Sequence, residues 1–141
     1  MMRKANEKDL ARIVALLEEH SLPFDDCAEH LQHFIVHEKV GGIVAVGGAE
    51  YYDGVGLIRS IVVSKSEQGK GIACLLINEL LNAMKEADIT QVYLLTTTAS
   101  HYFEKKNFTI IERRDVPRSI QKTQQFSSLC PSSATVMRRE V

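Results

Sequence analysis

A chain of 141 residues with 45% hydrophobic composition can bury one core and is short for two, so a single domain over 1–141 is expected. Its 17 basic and 18 acidic residues leave a formal net charge of -1, which offers no basic footprint for nucleic acid or an anionic membrane surface. No stretch approaches the roughly 18 apolar residues of a spanning helix, and the opening MMRKANEKDL lacks the apolar segment of a secretory signal, so a soluble, cytoplasmic protein is expected.

From Asn6 onward Leu10, Ile13, Val14 and Leu17 recur at helical intervals on one face. Asn6 reads as the cap, with Asp9 three residues later as a weak capping-box acid. SLPF, with Pro23, ends this helix and DDCAEHL opens a second short one. Phe34, Ile35 and Val36 then begin a β-rich region. GGIVAVGGAEYY and VGLIRSIVV flank Asp53-Gly54, a strong two-residue hairpin signal. Three successive antiparallel strands follow, near 33–39, 42–51 and 55–63.

A long amphipathic helix is predicted over 70–87, with Ile72, Leu75, Leu76, Leu80, Ala83 and Ala87 toward the core. VYLLTT, 92–97, is a buried strand that should run parallel to the strand before that helix. ASHYFEKKN is a shorter helix, FTIIE a strand, VPRSIQKTQQF a short helix and TVMRRE the last strand.

SKSEQGKGIACLL places small residues where a helix begins. The first N–H groups of a helix lack intrahelical acceptors and carry partial positive charge, so this end attracts phosphate. The same glycines could serve only the turn's conformation. The spacing is neither that of a nucleotide P-loop nor that of the dinucleotide fingerprint. It is Gln68, two residues, Gly71, one residue, Ala73, after an apolar strand and opening a helix. In this the chain resembles the GNAT superfamily of acetyl-CoA-dependent N-acetyltransferases.

IVV, EQGKGIA, the helix ending near Ala87, VYLLTT and ASHYFEKKNFTII follow in the superfamily's order. The resemblance implies an α/β fold of mixed α+β type: a mostly antiparallel central sheet, a parallel splayed pair at the acetyl-CoA cleft, flanking helices, and a first strand short or missing because only MMRKA precedes the first helix. It also implies that Ile61, Val62 and Val63 bind pantetheine through their backbone, with the Val62 or Val63 N–H polarising the thioester carbonyl. The backbone of Gln68, Gly69, Lys70, Gly71, Ile72 and Ala73 would hold the pyrophosphate of acetyl-CoA. Where members of the superfamily often carry a tyrosine as acid to the thiolate, this chain has Phe103. Tyr102 is one residue away and turned by about 100° on a helix. LLTTTASHYFEKKNF with DVPRSIQKTQQFSSLCPSSATVM further resembles the N-acetyltransferases associated with arsenic resistance and, more distantly, the acetyltransferase domain of N-acetylglutamate synthase.

Among the other candidates, Arg59 is a permanent charge inside GLIRSIVV. It suits an acceptor carboxylate, an acidic protein partner or solvent. Ser60 should project to the opposite face by strand alternation. Thr96 and Thr97 offer hydroxyls to an acceptor or are simply strand formers. Cys130 is a leaving-group acid, a thiol ligand for an arsenical, or a packed small residue. Glu50 is either a base or an ordinary surface or hairpin residue.

The three cysteines, Cys27, Cys74 and Cys130, are too far apart for a disulfide framework or a zinc site, so reduced thiols are expected. His30, His33 and His37 would form a metal set only on a helix, and the apolar residues among them argue for strand, so no metal is expected.

The expected function is an acyltransferase that moves acetyl from acetyl-CoA to a primary amine of a small, carboxylate-bearing acceptor, an amino acid or amino-acid mimic and possibly an arsenical, by direct attack in a ternary complex. A catalytically weak acetyl-CoA sensor and a protein N-acetyltransferase are the alternatives. The expected assembly is a monomer or homodimer without nucleic-acid or membrane partners.

Overall fold

Alternating apolar stretches form the strands of one sheet, and the helical spacings form the segments that flank it. The computed structural model describes residues 1–126 and 134–141. Strand β1, Met2–Lys4, is present but only three residues long. At Asn6 the chain turns into a 3-10 helix, Glu7–Asp9, and α1, Leu10–Glu19. The cap is reciprocal, as the sequence suggests: the Asn6 side chain accepts from the Lys8 N–H at 2.9 Å and the Asp9 carboxylate accepts from the Asn6 N–H at 2.8 Å. A 3-10 helix, Cys27–His33, leads to β2, Ile35–Lys39. Strands β3, Gly42–Tyr52, and β4, Val55–Val63, flank the Asp53-Gly54 turn.

After β4 come α2, Ile72–Glu86, β5, Gln91–Thr96, and α3, Ser100–Glu104. The chain continues with β6, Thr109–Ile111, α4, Arg118–Gln121, and β7, Thr135–Glu140. The hydrogen-bonded order of this seven-stranded sheet is β1-β2-β3-β4-β5-β7-β6. Pairings β1–β2, β2–β3, β5–β7 and β6–β7 are antiparallel. Strands β4 and β5 pair in parallel through Val55↔Gln91, Gly56↔Val92 and Leu57↔Tyr93. This is the mixed, mostly antiparallel α+β architecture expected from the sequence.

By internal contacts the chain divides into two compact units: 1–50 with 58–83, and 51–57 with 84–141. The first is built on Ile13, Leu16, Leu17, Phe34, Val36, Val46 and Val62, all buried. Fully burying one such aliphatic side chain contributes about 1.5–3 kcal/mol. The second unit has its own cluster, formed by Leu57, Tyr93, Val116, Ile120 and Val136.

The buried face of α2 is Ile72, Leu76, Ile77, Leu80, Leu81 and Met84. Leu75, expected in the core, is 53% exposed. The helix is apolar over more than one stripe, so periodicity alone does not fix which stripe turns inward. Among the described residues no helix is long and apolar enough to cross a membrane.

Candidate functional site

Strand β4 carries the residues around which a site is built. Its run Leu57-Ile58-Arg59-Ser60-Ile61-Val62-Val63 would alternate regularly but for Ser60, whose φ of 60° is left-handed. That conformation brings Cβ close to the following carbonyl and costs roughly 1–2 kcal/mol in a non-glycine residue, so the surroundings must hold it. They do so with a hydrogen bond: the Arg59 Nε–H donates to the Ser60 hydroxyl oxygen at 3.0 Å. The expectation that Arg59 and Ser60 point to opposite faces is therefore corrected. A break in the alternation brings two neighbouring side chains together.

Beyond Val63 a 3-10 turn, Lys65–Glu67, precedes Gln68, which is extended at φ -69 and ψ 153. The Gln68 side-chain amide reaches back and donates to the Val63 carbonyl at 3.0 Å, fastening the loop to the strand's end. Gly69 and Gly71 both lie at φ 80, a conformation that explains why glycine stands at each. A Cβ built on either would meet nothing within 4 Å, so the backbone on that side is open to a bulky ligand. The first regular helical bond here is from the Leu75 N–H to the Gly71 carbonyl at 3.2 Å. The N–H groups of Ile72 and Ala73 precede it, in the positions that have no intrahelical acceptor. The two glycines thus serve the turn's conformation and also leave open backbone at a helix N-terminus.

Glu67 lies beneath this loop as a counter-charge. Its carboxylate pairs with Lys39 of β2 and, at 3.4 Å, with Lys70. The Lys39 ammonium, followed by that of Lys70, lowers the Glu67 carboxyl below its usual range.

Arg59 is 3% exposed, so the solvent-facing reading of this residue falls away. Its Nη2 lies 2.6 Å from Asp26 Oδ1 and its Nη1 2.9 Å from Glu50 Oε2. The ring of Phe34 stands 5.7 Å from the guanidinium carbon, in a place left vacant by Gly48, where a Cβ would come within 2.5 Å of that ring. Burial alone would depress the arginine's pKa. The close ion pair with Asp26 and the charge and hydrogen bond of Glu50 outweigh it and hold the pKa above the ordinary value. Of the readings the sequence left open for Arg59, the acidic protein partner is the one seen here: its Nε, Nη1 and Nη2 all face protein oxygens.

Glu50, read from the sequence as either a base or an ordinary surface or hairpin residue, lies in β3 of the hairpin and is 1% exposed, so it is not a surface residue. Its other oxygen, Oε1, lies 3.4 Å from His30 Nε2. Asp26, His30 and Glu50 present ligand-type atoms within 4.8 Å of one another. Arg59 already supplies positive charge to both carboxylates, so the cluster reads as an ion network. The histidine triplet divides between two elements, His30 and His33 on the 3-10 helix and His37 on β2. Burial lowers the pKa of His33 and of His37. Burial pushes the Cys27 thiol up, and its S–H donates to the Phe24 carbonyl at 3.1 Å.

Of the other sequence candidates, Val62 is buried, and Ile61 and Val63 are half-buried. The Thr96 hydroxyl accepts from the Ala99 N–H at 3.0 Å, shaping the turn into α3, and Thr97 is exposed. Tyr102 is 38% exposed and its ring meets that of Phe103 edge-on, with centroids 5.4 Å apart, while Phe103 itself is buried and packs against Phe108 at 5.6 Å. Cys130 lies outside the described residues. Sequence reasoning missed Asp26 and His30 as partners of the strand charge. A signal for Glu50 did exist, because counting outward from a two-residue turn at Asp53-Gly54 puts Glu50 and Arg59 on one face, diagonally across the hairpin.

The acetyltransferase (GNAT) domain model matches residues 29–110. An uncharacterized N-acetyltransferase of Chlorobaculum tepidum is 26% identical over 97 residues, which cover 68% of this chain and 62% of that protein, less than two thirds of its length. Among solved structures, Rv2747 from Mycobacterium tuberculosis in complex with CoA and NLQ aligns with a TM-score of 0.84 at 21% identity, covering 100% of this chain and 99% of that one. N-acetylglutamate synthase from Neisseria gonorrhoeae, complexed with coenzyme A and N-acetyl-glutamate, aligns with a TM-score of 0.85 at 19% identity, covering 99% of this chain and 34% of that one. At such identities the structural likenesses show the fold.

Proposed function

Since the chain belongs to the acetyltransferase (GNAT) domain family, we propose that it acts as an N-acetyltransferase, carrying acetyl from acetyl-CoA to the primary amine of a small, amino-acid-like acceptor by direct attack in a ternary complex. The observation that carries this reading is the loop from Gln68 to Ala73. There two left-handed glycines leave the backbone open just ahead of the first helical hydrogen bond of α2. Acetyl-CoA, when bound, supplies an activated thioester and a diphosphate by which to hold it.

In this reading the N–H groups of Gly69, Lys70, Gly71, Ile72 and Ala73, at the positive end of α2, hold the diphosphate. Gln68 anchors the loop to Val63 and contributes through its position. The backbone of Ile61, Val62 and Val63 aligns the pantetheine arm, and an N–H at Val62 or Val63 polarises the acetyl carbonyl. Amino-acid-like acceptors are favoured because fold relatives are complexed with CoA together with N-acetyl-glutamate or NLQ. An amine-bearing arsenical belongs to the same class of small acceptors, and the resemblance of LLTTTASHYFEKKNF to the arsenic-associated enzymes puts it on the list to be tried.

A thiol-release assay with acetyl-CoA against a panel of amino acids, amino-acid mimics, an amine-bearing arsenical and peptide N-termini tests this. The expected result is amine-dependent release with at least one small acceptor. CoA binding without release for any amine would overturn the transferase reading in favour of a sensor, and release with peptides alone would make the chain a protein acetyltransferase.

A further inference from the structure

The ion network of the first compact unit contains more than Arg59 needs. Two carboxylates, Asp26 and Glu50, face one guanidinium, which leaves one negative charge over. The remaining partner is an imidazole: Glu50 Oε1 is 3.4 Å from His30 Nε2. Exposure is graded through the cluster. The side chains of Arg59, Glu50 and Asp26 are 0%, 1% and 2% exposed, and that of His30 is 20% exposed. A single partly exposed imidazole thus tops a buried carboxylate that is itself fixed by a buried arginine. This is the arrangement in which a histidine is oriented through one ring nitrogen and exchanges protons through the other. The arginine is in turn tied to Ser60, which adjoins the Ile61–Val63 segment.

We propose that His30, seated on Glu50, takes the proton from the acceptor's ammonium, and that Glu50 and Arg59 are its positioning residues. The inference rests on the acetyltransferase reading above. An amine arrives largely as R–NH3⁺, which has no lone pair to attack with. One N–H bond of the ammonium breaks, its electron pair stays on nitrogen, and the proton bonds to the free nitrogen of neutral His30. The resulting imidazolium is stabilised across the 3.4 Å contact by Glu50 and returns its proton to water. The groups that bear on His30 come from each neighbouring element: Glu50 on β3, Asp26 ahead of the 3-10 helix, His33 on that helix, and Arg59 of β4 behind Glu50. Lys4 of β1 acts on His33 beside it.

The test compares wild type, His30→Gln, His30→Ala and Glu50→Gln in the full chain, with an acceptor that supports thiol release. CoA affinity is measured by calorimetry and folding by thermal melts. With CoA affinity unchanged, His30→Gln should lower kcat/KM for the acceptor about 100-fold or more and remove the acidic limb of its pH profile. Added imidazole should restore part of the rate of His30→Ala, which a packing role would not allow. Glu50→Gln should lower kcat for the acceptor while its KM and the CoA affinity stay put, the split expected when a positioning residue behind the base is lost. A pH profile in His30→Gln that matches wild type would overturn the proposal and leave the transferase reading standing. Absence of thiol release in wild type with every amine would remove both. Should Glu50→Gln fail to fold, the two His30 variants decide the matter alone.

Discussion

Gly71 is the residue whose chemistry can be tested most directly. Its φ of 80 excludes a comfortable L side chain, and the space beside it is open. A glutamate there adds backbone strain of roughly 1–2 kcal/mol and places negative charge at the N-terminus of α2, where a phosphate would lie. Gly71→Glu should therefore lose CoA affinity by at least tenfold in calorimetry while circular dichroism stays that of the native fold; unchanged affinity would detach this loop from CoA. At the same scale, Arg59 shows what one sequence leaves open. A charge in an apolar strand is visible to the eye, and its burial with an acidic partner follows from the cost of desolvating a guanidinium. Which acid answers it is a tertiary question. Asp26 lies in a polar stretch, DDCAEH, that carries no periodic signal.

Among the elements, the start of the first helix is the best-defined local structure. Arg3 of β1 grips Asp9 with both terminal nitrogens, at 2.8 and 2.9 Å, and Asp9 also caps the Asn6 N–H. The Arg3 hydrogen bonds hold the Asp9 carboxyl below its ordinary value of 3.8. A carboxyl depressed in the folded state stabilises that state above its unfolded value and loses the contribution as pH falls through the folded one. Asp9→Asn keeps a carbonyl oxygen for the cap and discards the charge, so urea unfolding at pH 7 should show a loss of about 1–3 kcal/mol, shrinking as the pH is taken below the ordinary carboxyl value. The cap and the Asp53-Gly54 turn were readable because both are decided by neighbours in sequence. Strand alternation was readable up to Ser60, where a left-handed residue, invisible in a serine, re-aims the chain. The apolar breadth of α2 hid its true face, so Leu75 was misassigned while Ile77, Leu81 and Met84 went unnamed.

For the molecule as a whole, the parallel course of β5 beside β4 was readable from the alternation of helix and strand, whereas the insertion of β7 between β5 and β6 is a long-range pairing that no local pattern announces. The open loop ahead of α2 was readable and the ion network was not, since the loop is contiguous in sequence and the network is not. That difference has a kinetic side. Asp26, Glu50 and Arg59 come from three separate stretches of chain, and an incomplete set would strand a charge in an apolar interior. The network should thus assemble on the native side of the folding barrier, after the hydrophobic surfaces have met. Removing the Asp26 carboxylate by Asp26→Asn would then accelerate unfolding in a denaturant chevron and leave the refolding limb nearly unchanged. A slowed refolding limb would put the ions in the folding nucleus instead. If they lock late, the three charges act as a latch on the lifetime of the folded state: they set how long the molecule stays closed once formed, and have little influence on how quickly it gets there.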